Sequence, residues 1–369
     1  MPGRLSLKLV VGGKRGLAGM LAAALALLPV IDRSHAARPD EPAAQSAPAT
    51  QAQPPAQKRV QPTAPVAVPA IDPAKTSAER LKRMTAAKSW GYQLIGLNVA
   101  AAAASPLDLL VIDVTTGLDA DRPLRPEEIA RLKRKPDGSP RLVIGHLSIG
   151  DAEDYRQDYF SAEYLTEDAP QWLGPEHAQW RGNRIVKFCH EGWQRTVIGD
   201  DNGRGLYNSI DASPLHRLVE LGLDGVYLDR ADVWAEVKAD CPDGETAMVE
   251  FIARIAASAR RKNPGFLVVM QNAEELSRHP RLIETIDAIA KEDLFHSAHT
   301  GQPRPASAVK ASIAHLKRVK DAGRPVFVVD YVLEQSKKAD TRRRIEEQGF
   351  VPYFAPRDLG RLAIPGRDF

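Results

Sequence analysis

The chain has 369 residues, of which 43% are apolar, and its 50 basic residues nearly balance its 47 acidic residues. This length allows one large domain or two smaller ones, and the apolar fraction is sufficient for a hydrophobic core. The formal net charge is +3, but residues 1–36 alone carry five basic residues and one acidic residue. The remainder of the chain is therefore slightly acidic, which argues against a nucleic-acid partner.

The first 36 residues have the layout of a secretory signal peptide. Basic residues open the chain, an apolar run extends from Leu17 to Ile31, and the small-residue pattern Ser34-His35-Ala36 follows. The apolar run is shorter than the roughly 20 residues that a membrane-spanning helix needs. We therefore expect cleavage after residue 36, a periplasmic or secreted location, and no stable membrane span in the mature protein. An uncleaved membrane anchor is the alternative.

A segment rich in Ala, Pro and Gln comes next. Residues 37–75 show no apolar periodicity and contain few residues that form cores. This composition is typical of a disordered linker. The folded domain is therefore predicted to cover residues 76–369.

Beyond the linker, short apolar runs alternate with helical patterns such as Arg125–Arg134 and Thr246–Lys262. Several runs are almost continuously apolar, as strands buried on both faces of a parallel sheet are. The alternation predicts an α/β fold of the TIM (β/α)8 barrel type. A doubly wound open sheet is the alternative, although no Gly-rich phosphate loop follows the first strand. The eight predicted strands are Tyr92–Leu97, Asp108–Val114, Arg141–Ile149, Gly225–Asp229, Phe266–Asn272, Ala288–Asp293, Val326–Tyr331 and Phe350–Ala355.

One long segment interrupts the alternation after the third predicted strand. Asp151–Asn208 is rich in aromatic and polar residues and contains Trp172, Trp180 and Trp193. Insertions after barrel strands lie on the catalytic face of the barrel. The aromatic side chains either stack on the rings of a ligand such as a sugar or form a small satellite core of the insertion.

The two cysteines of the chain, Cys189 and Cys241, have no metal-binding spacing. In an exported protein they either pair as a disulfide or remain as two buried thiols. No His/Cys cluster indicates a zinc site elsewhere. We therefore expect no metal and no cofactor.

Carboxylate or amide side chains stand at the ends of five predicted strands. The last or next-to-last residues of these strands are Asp113, Asp229, Asn272, Asp293 and Asp330. The carboxyl ends of parallel barrel strands meet at one face, so these groups are expected to line one acid-rich bowl. A single strand-end acid often caps the following helix, but capping alone is a strained explanation for five strands.

A bowl of carboxylates without a metal cluster suits glycoside hydrolysis. One carboxyl group must protonate the leaving oxygen, and another must attack the anomeric carbon or activate water. Strand alternation selects Asp229, which shares a side of its strand with Tyr227, and Glu292, which shares a side with Ala288 and Ala290. Small residues on one strand leave room for large ones across a barrel lumen. Both acids are therefore predicted to point inward at the top of the barrel.

Several motifs between Trp90 and Leu362 resemble glycoside hydrolase family 114, in particular its bacterial and archaeal extracellular branch. They are YQLIG, DLLVIDVT, HLSIGDAEDYR, LDGVYLDRAD, VMQNAEEL, AKEDLF and GFVPYFAPRDL, in this order. The resemblance implies a TIM barrel with endo-α-1,4-polygalactosaminidase-like activity on a galactosamine-containing polysaccharide. It also implies that Asp229 is the catalytic aspartate and Glu292 the catalytic glutamate.

The motifs depart from the family pattern at two positions. Asp151 stands where a glutamate usually follows the S-x-G motif, and Lys291 replaces the residue that usually precedes the catalytic glutamate. The catalytic pair is unaffected by either departure, whereas the identity of the substrate depends on them.

The sequence thus predicts an exported glycoside hydrolase in which Asp229 is the nucleophile and Glu292 the general acid/base. The acid-rich bowl suits a partly deacetylated, cationic glycan. A non-catalytic polysaccharide-binding barrel and a hydrolase of an unrelated glycan are the alternatives. The residues predicted to bind substrate are Tyr92, Gln93, Asp113, Ser148, Asp151, Asp232, Gln271, Asn272, Asp330, Tyr331 and Tyr353.

Overall fold

A computed structural model describes residues 73–115, 122–153, 169–205, 212–332 and 334–369. The predicted signal peptide at 1–36 lies outside the described residues, as does the predicted linker up to residue 72. The first described element is a helix that begins at Pro73, three residues before the predicted start of the domain at Thr76. The domain boundaries themselves stay predictions.

Strands and helices alternate along most of the described chain. The strands are β1 (Trp90–Gln93), β2 (Leu109–Ile112), β3 (Leu142–Ser148), β4 (Asp151–Glu153), β5 (Leu173–Glu176), β6 (Asn183–Val186), β7 (Gly225–Asp229), β8 (Leu267–Gln271), β9 (Ala288–Glu292), β10 (Val326–Asp330) and β11 (Val351–Phe354). The α-helices are α1 (Pro73–Ala86), α2 (Val99–Ala103), α3 (Pro126–Leu132), α4 (Glu191–Ile198), α5 (Pro214–Glu220), α6 (Gly244–Lys262), α7 (Pro280–Thr285), α8 (Ala306–Asp321) and α9 (Gln335–Glu347), and the 3₁₀ helices are Ala231–Ala235 and Glu274–Arg278. Among the described residues, none of these helices is long and apolar enough to cross a bilayer.

Eight parallel strands form the central sheet of the described chain, in the order β1-β2-β3-β7-β8-β9-β10-β11. Side chains connect its two edge strands. Trp90 Nε1 donates to the carbonyl of Val351 at 3.1 Å, and the Tyr353 hydroxyl donates to the carbonyl of Tyr92 at 3.4 Å. The sheet therefore curves into the predicted TIM barrel, and the open-sheet alternative was wrong.

Side chains alternate between the lumen of this barrel and its helical shell. Val111, Ile144, Tyr227, Val269 and Val329 are buried together in one cluster inside the sheet. The residues between them on the same strands pack in a second, larger cluster with the helices. Apolar side chains on both faces explain why the strands read as continuous apolar runs in the sequence.

All eight predicted barrel strands are present, but their bounds are generally shorter than the apolar runs. The first strand covers Trp90–Gln93 rather than Tyr92–Leu97. Residues 94–97 form the loop instead, and the backbone N–H of Leu94 donates to the carbonyl of Leu359 at 3.0 Å. Apolar residues in a partly buried loop thus produced the same sequence signal as a strand.

The predicted insertion after the third strand is also present. β4, β5 and β6 form a small antiparallel sheet in which β6 is central. Trp172 and Trp193 are fully buried with ring centroids 4.9 Å apart, and they belong to the large apolar cluster between the barrel sheet and its helices rather than to a separate satellite core. Trp180 lies between β5 and β6 and is 38% exposed. Phe188 of the insertion is also fully buried. The other aromatic residues of the insertion, within 154–168 and at position 207, lie outside the described residues.

A disulfide joins the insertion to the segment that follows β7. Cys189 and Cys241 are bonded, with their Cα atoms 5.9 Å apart, so the pairing alternative was correct. The bond closes a loop of 52 residues. It therefore holds the insertion beside the loop that begins at the end of β7.

Buried carboxylates hold the amino-terminal end of the barrel. Asp224, just before β7, accepts from the backbone N–H of Val143 at 3.0 Å and pairs with Lys133 Nζ at 2.9 Å. Asp287, just before β9, accepts from the backbone N–H of Val268 at 2.8 Å. Each of these acids thus satisfies the N–H of the second residue of the neighbouring strand, which would otherwise be buried without a partner.

We expect the disulfide to stabilise the protein by about 2–4 kcal/mol, because cross-links over loops of this length restrict the unfolded chain. Replacing both Cys189 and Cys241 by Ala should therefore lower the melting temperature of the purified protein. Because the chain has no other cysteine, a reducing agent should destabilise the wild type and leave the double variant unchanged. Equal melting temperatures for reduced and oxidised wild type would contradict the prediction.

Candidate active site

Asp229 is the last residue of β7 and belongs to the lumen-facing set of that strand, two positions after the buried Tyr227. The backbone N–H of Arg230 donates to its Oδ1 at 2.7 Å, and His146 Nε2 lies 3.2 Å from its Oδ2. Burial acts to raise the pKa of Asp229, but the hydrogen bond and charge of His146, together with Arg230, outweigh burial and lower the pKa. Asp229 is therefore held as a carboxylate.

His146 lies on β3 and is buried beside the rings of Tyr92 and Tyr227. Burial acts to lower its pKa, but the hydrogen bond and charge of Asp229 raise the pKa above its ordinary value. His146 Nδ1 and the Tyr227 hydroxyl are buried without a hydrogen-bond partner in the part of the chain that the structure describes. Two polar atoms without a partner among the described residues therefore lie in the lumen near Asp229.

Glu292 is the last residue of β9 and follows the lumen residues Ala288 and Ala290 in the same alternation. The Tyr331 hydroxyl donates to its Oε1, and Asn272 Nδ2 lies 3.4 Å from its Oε2. Burial and the charge of Asp229 raise the pKa of Glu292 to about 7, although the hydrogen bond from Tyr331 acts in the opposite direction. At neutral or mildly acidic pH, Glu292 therefore retains a proton that an ordinary glutamate would have lost.

Asn272 follows β8 and connects Glu292 to the outer face of the barrel. Its Oδ1 accepts from the backbone N–H of Glu292 at 3.1 Å and from Lys291 Nζ at 3.3 Å. Lys291 in turn pairs with the buried Glu274 at 3.2 Å. Lys291, one of the two departures from the family pattern, thus alternates with the lumen residues and supports the amide that contacts Glu292.

Arg230 gathers three carboxylates next to Asp229. Its Nε lies 3.0 Å from Asp151, and its Nη1 lies 3.2 Å from Asp232 and 2.9 Å from Glu236. Asp151 is fully buried, and burial raises its pKa although the charge and hydrogen bond of Arg230 act against it. Asp151, the other departure from the family pattern, therefore forms a buried ion pair with Arg230.

Comparison with known proteins identifies the family. Residues 70–366 match the sequence profile of glycoside-hydrolase family GH114. The chain belongs to this family. It is a glycoside hydrolase. A protein of Methanocaldococcus jannaschii is 32% identical over 283 residues, covering 73% of this chain and 75% of the relative. A protein of Deinococcus radiodurans is 30% identical over 334 residues, covering 90% of this chain and 96% of the relative.

Two solved structures share the fold. The glycoside hydrolase domain of PelA from Pseudomonas aeruginosa superposes with a TM-score of 0.56 at 18% identity, covering 74% of this chain and 97% of that chain. Ega3 from Aspergillus fumigatus, solved in complex with galactosamine, gives a TM-score of 0.53 at 17% identity, covering 75% of this chain and 95% of that chain. At these identities the likeness establishes the fold of the GH114 barrel.

Part of the predicted substrate-binding set of this GH114 chain comes together around the two acids. Asn272 and Tyr331 contact Glu292, and the Tyr92 hydroxyl donates to Gln271 Oε1 at 3.4 Å in the lumen. Ser148 lies opposite Asp229 in the sheet register, and its Oγ accepts from the backbone N–H of Asp151 at 3.1 Å. Asp151 and Asp232 reach the site through Arg230.

Four other predicted residues hold loops or close the barrel. Gln93 Nε2 donates to the carbonyls of Ile95, Gly96 and Gly360. Asp113 accepts from the N–H and hydroxyl of Thr115, Asp330 accepts from the N–H of Phe295 at 3.0 Å, and the Tyr353 hydroxyl accepts from the N–H of Ala363 at 3.0 Å. The side-chain groups of these four are engaged in the scaffold around the site.

The sequence analysis did not select His146, Tyr227 and Arg230 as site residues. The alternation that selected Asp229 also places Tyr227 on the lumen side, and the same rule on β3 places His146 two positions before Ser148. Both could therefore have been found from strand parity. Strand parity gives no signal for Arg230, because this residue follows β7 in a left-handed turn with φ 61° and is not part of the alternation. The described residues contain no group of His, Cys, Asp and Glu that could hold a metal ion.

The raised pKa of Glu292 has a consequence for stability that needs no substrate. A folded pKa of about 7 against an ordinary value of 4.5 means that the folded state binds the proton more tightly. Stability is therefore lost as pH rises from about 4.5 to about 7. Glu292→Gln removes this loss, so the variant should melt at a higher temperature than the wild type at pH 8, and the difference should shrink towards pH 4.5.

Melting curves of both proteins between pH 4.5 and 8 measure this difference. Glu346→Gln, at an exposed position of α9, is the matched control and should follow the wild type at every pH. A difference between Glu292→Gln and wild type that does not depend on pH would show that Glu292 titrates as an ordinary surface acid.

Proposed function

We propose that the protein is an exported, retaining glycoside hydrolase that cleaves a galactosamine-containing polysaccharide, with Asp229 as nucleophile and Glu292 as general acid/base. One observation carries this proposal. Asp229 and Glu292 lie in one lumen, and the pKa of Asp229 is lowered while that of Glu292 is raised to about 7. Two carboxyl groups whose environments drive their pKa values apart are typical of an acid and nucleophile pair.

In the first step, a carboxylate oxygen of Asp229 attacks the anomeric carbon. The bond from that carbon to the glycosidic oxygen breaks, and the proton of Glu292 moves to the departing oxygen. The hydrogen bonds from His146 and Arg230 keep Asp229 ionised before the attack. The step forms a glycosyl ester on Asp229 and leaves Glu292 as a carboxylate.

In the second step, Glu292 removes a proton from water while the water oxygen attacks the same anomeric carbon. The ester bond to Asp229 breaks, and both side chains regain their starting protonation states. The Tyr331 hydroxyl hydrogen-bonds to Glu292 and stabilises its carboxylate in the interval between the two steps. Retention of configuration follows from two successive displacements at one carbon, and it rests here on the family pattern.

The choice of an amino-sugar substrate is supported by charge and by likeness. The site contains Asp151, Asp229, Asp232 and Glu236 around a single arginine. A negative surplus of this kind favours a neutral or cationic glycan over a polyuronide. Ega3, which has the same fold, was solved with galactosamine.

A non-catalytic polysaccharide-binding barrel is disfavoured by the same pair. A buried glutamate whose pKa is raised to about 7 gives a binding protein no advantage. Burying this carboxyl group reduces the stability of the folded state at neutral pH. A hydrolase of an unrelated glycan would use the same two acids. Product analysis on a panel of polysaccharides distinguishes that alternative from the proposed substrate.

We expect Asp229→Asn and Glu292→Gln each to fold normally and to lose most activity, about 10³-fold or more, because each removes one of the two obligatory carboxyl groups. Release of reducing ends from a galactosamine polymer measures the loss. Azide should restore turnover to Glu292→Ala on an activated substrate, since a small anion attacks the glycosyl ester without a base. Azide should not rescue Asp229→Ala with retained configuration.

The matched control for this experiment is Asp287→Asn, which removes a buried carboxylate at the other end of the barrel. It is expected to lower the melting temperature and to spare the turnover of the folded fraction. If both catalytic-site amide variants fold and keep near-wild-type turnover, the assignment is wrong.

Export is supported by the basic, apolar and small-residue pattern of residues 1–36 and by the disulfide, since such bonds persist in oxidising compartments. N-terminal sequencing of the protein recovered from its native cell is expected to begin near Ala37. The matched control replaces Ala36 by a bulky residue, which should block cleavage and leave Met1 in place. Recovery of the intact wild-type chain from a cytosolic fraction would reject export.

A further inference from the structure

An exposed tryptophan, an arginine and a tyrosine form one stack at the edge of the site. The guanidinium carbon of Arg357 lies 4.5 Å from the ring centroid of Trp180 and 4.9 Å from that of Tyr331. The three residues come from separate segments: the insertion hairpin, the loop after β11 and the end of β10. Tyr331 also donates to Glu292, so the stack begins at the catalytic acid.

The guanidinium of Arg357 lies against the rings of Trp180 and Tyr331. Within the described ranges it forms no ion pair and no hydrogen bond. Its positive charge nevertheless acts to lower the pKa values of the neighbouring Glu292 and Asp293. A guanidinium carries five N–H donors and no acceptor. Because contacts with two rings restrain the guanidinium, less conformational entropy is lost when those donors bind a ligand.

Trp180 supplies the apolar surface of the same site. It is the only large hydrophobic side chain that is exposed among the described residues, with 38% of its surface accessible, whereas Trp172 and Trp193 are fully buried. Indole faces of this kind commonly pack against sugar rings. An exposed ring beside unused donors is a platform for a sugar that also presents hydrogen-bond acceptors.

We propose that Trp180 and Arg357 form a sugar subsite beside Glu292 that selects an uncharged N-acetylhexosamine over a protonated hexosamine. This inference rests on the proposed function and specifies which form of the amino sugar the same site binds. An acetamido carbonyl accepts hydrogen bonds from the guanidinium. An ammonium group has donors only, so it offers Arg357 no acceptor and is repelled by its charge. The acid-rich side near Arg230 is where a cationic sugar is accommodated instead.

The experiment compares matched galactosamine oligomers, one fully N-acetylated and one fully deacetylated, and measures kcat/KM for each. The ratio of kcat/KM for the acetylated oligomer to kcat/KM for the deacetylated oligomer should fall about tenfold in Arg357→Glu and about threefold in Arg357→Gln. Trp180→Ala should lower kcat/KM for both oligomers alike, because stacking does not depend on the amine. Arg343→Gln, an exposed arginine on α9, is the control.

The ratio separates substrate selection from two simpler roles of the stack. If Arg357 only adjusts the proton affinity of Glu292, both oligomers change equally and the ratio stays constant. If the stack only holds the hairpin, the melting temperature falls and the ratio again stays constant. An unchanged ratio in both Arg357 variants overturns the proposal.

A binding measurement keeps this test independent of the proposed function. Calorimetry on Glu292→Gln, with and without Arg357→Glu, measures the affinity for N-acetylated and for deacetylated oligomers of galactosamine and of glucosamine. Loss of the preference for acetylated oligomers in the double variant supports the subsite, and an unchanged preference rejects it. Failure of the wild type to cleave any galactosamine oligomer would reject the proposed function alone.

Discussion

The site depends on the cost of placing two carboxyl groups in one poorly solvated lumen. Two ionised carboxylates there would repel each other, and burial penalises each of them. The structure resolves this conflict asymmetrically: Asp229 receives His146 and the N–H of Arg230, whereas Glu292 receives the Tyr331 hydroxyl and Asn272. A potentially charged partner stabilises the carboxylate of Asp229, and neutral partners leave the proton on Glu292. The proposed division of roles between nucleophile and acid therefore rests on the different neighbours of the two strand ends.

The backbone takes an unusual conformation at the same strand ends. Arg230, Asn272 and Asp293, each directly after the last residue of β7, β8 or β9, have φ values of 61°, 55° and 55°. Such values cost a non-glycine residue roughly 1–2 kcal/mol. This backbone conformation directs the Arg230 N–H towards Asp229 and the Asn272 side chain towards Glu292. Three of the five non-glycine residues with positive φ in the described part of the chain therefore stand directly at these strand ends.

Strand periodicity was sufficient to predict the eight-stranded barrel, the position of the insertion and the inward direction of Asp229 and Glu292, because each depends on local alternation. The same rule could have found His146. It could not separate Trp180 from Trp172 and Trp193, since all three share one insertion and only its folding decides which ring is exposed. Contacts between distant segments, such as Arg357 with Trp180, leave no periodic signal in a single sequence. The predicted ends of strands were also imprecise, because partly buried loop residues such as Leu94 and Ile95 are as apolar as strand residues.

Carboxylates at both ends of the barrel show why residue type alone does not identify a site. Asp224 and Asp287 precede their strands, and each accepts a neighbouring backbone N–H and pairs with a cation. Asp330 ends a strand as Asp229 does, yet it accepts the N–H of Phe295 and alternates with the lumen residue Val329. Some strand-end acids therefore fix a neighbouring loop, as Asp330 does for the loop after β9. What distinguishes Glu292 is that its partners hold it in the lumen without neutralising it by an ion pair, so that its proton stays available for transfer.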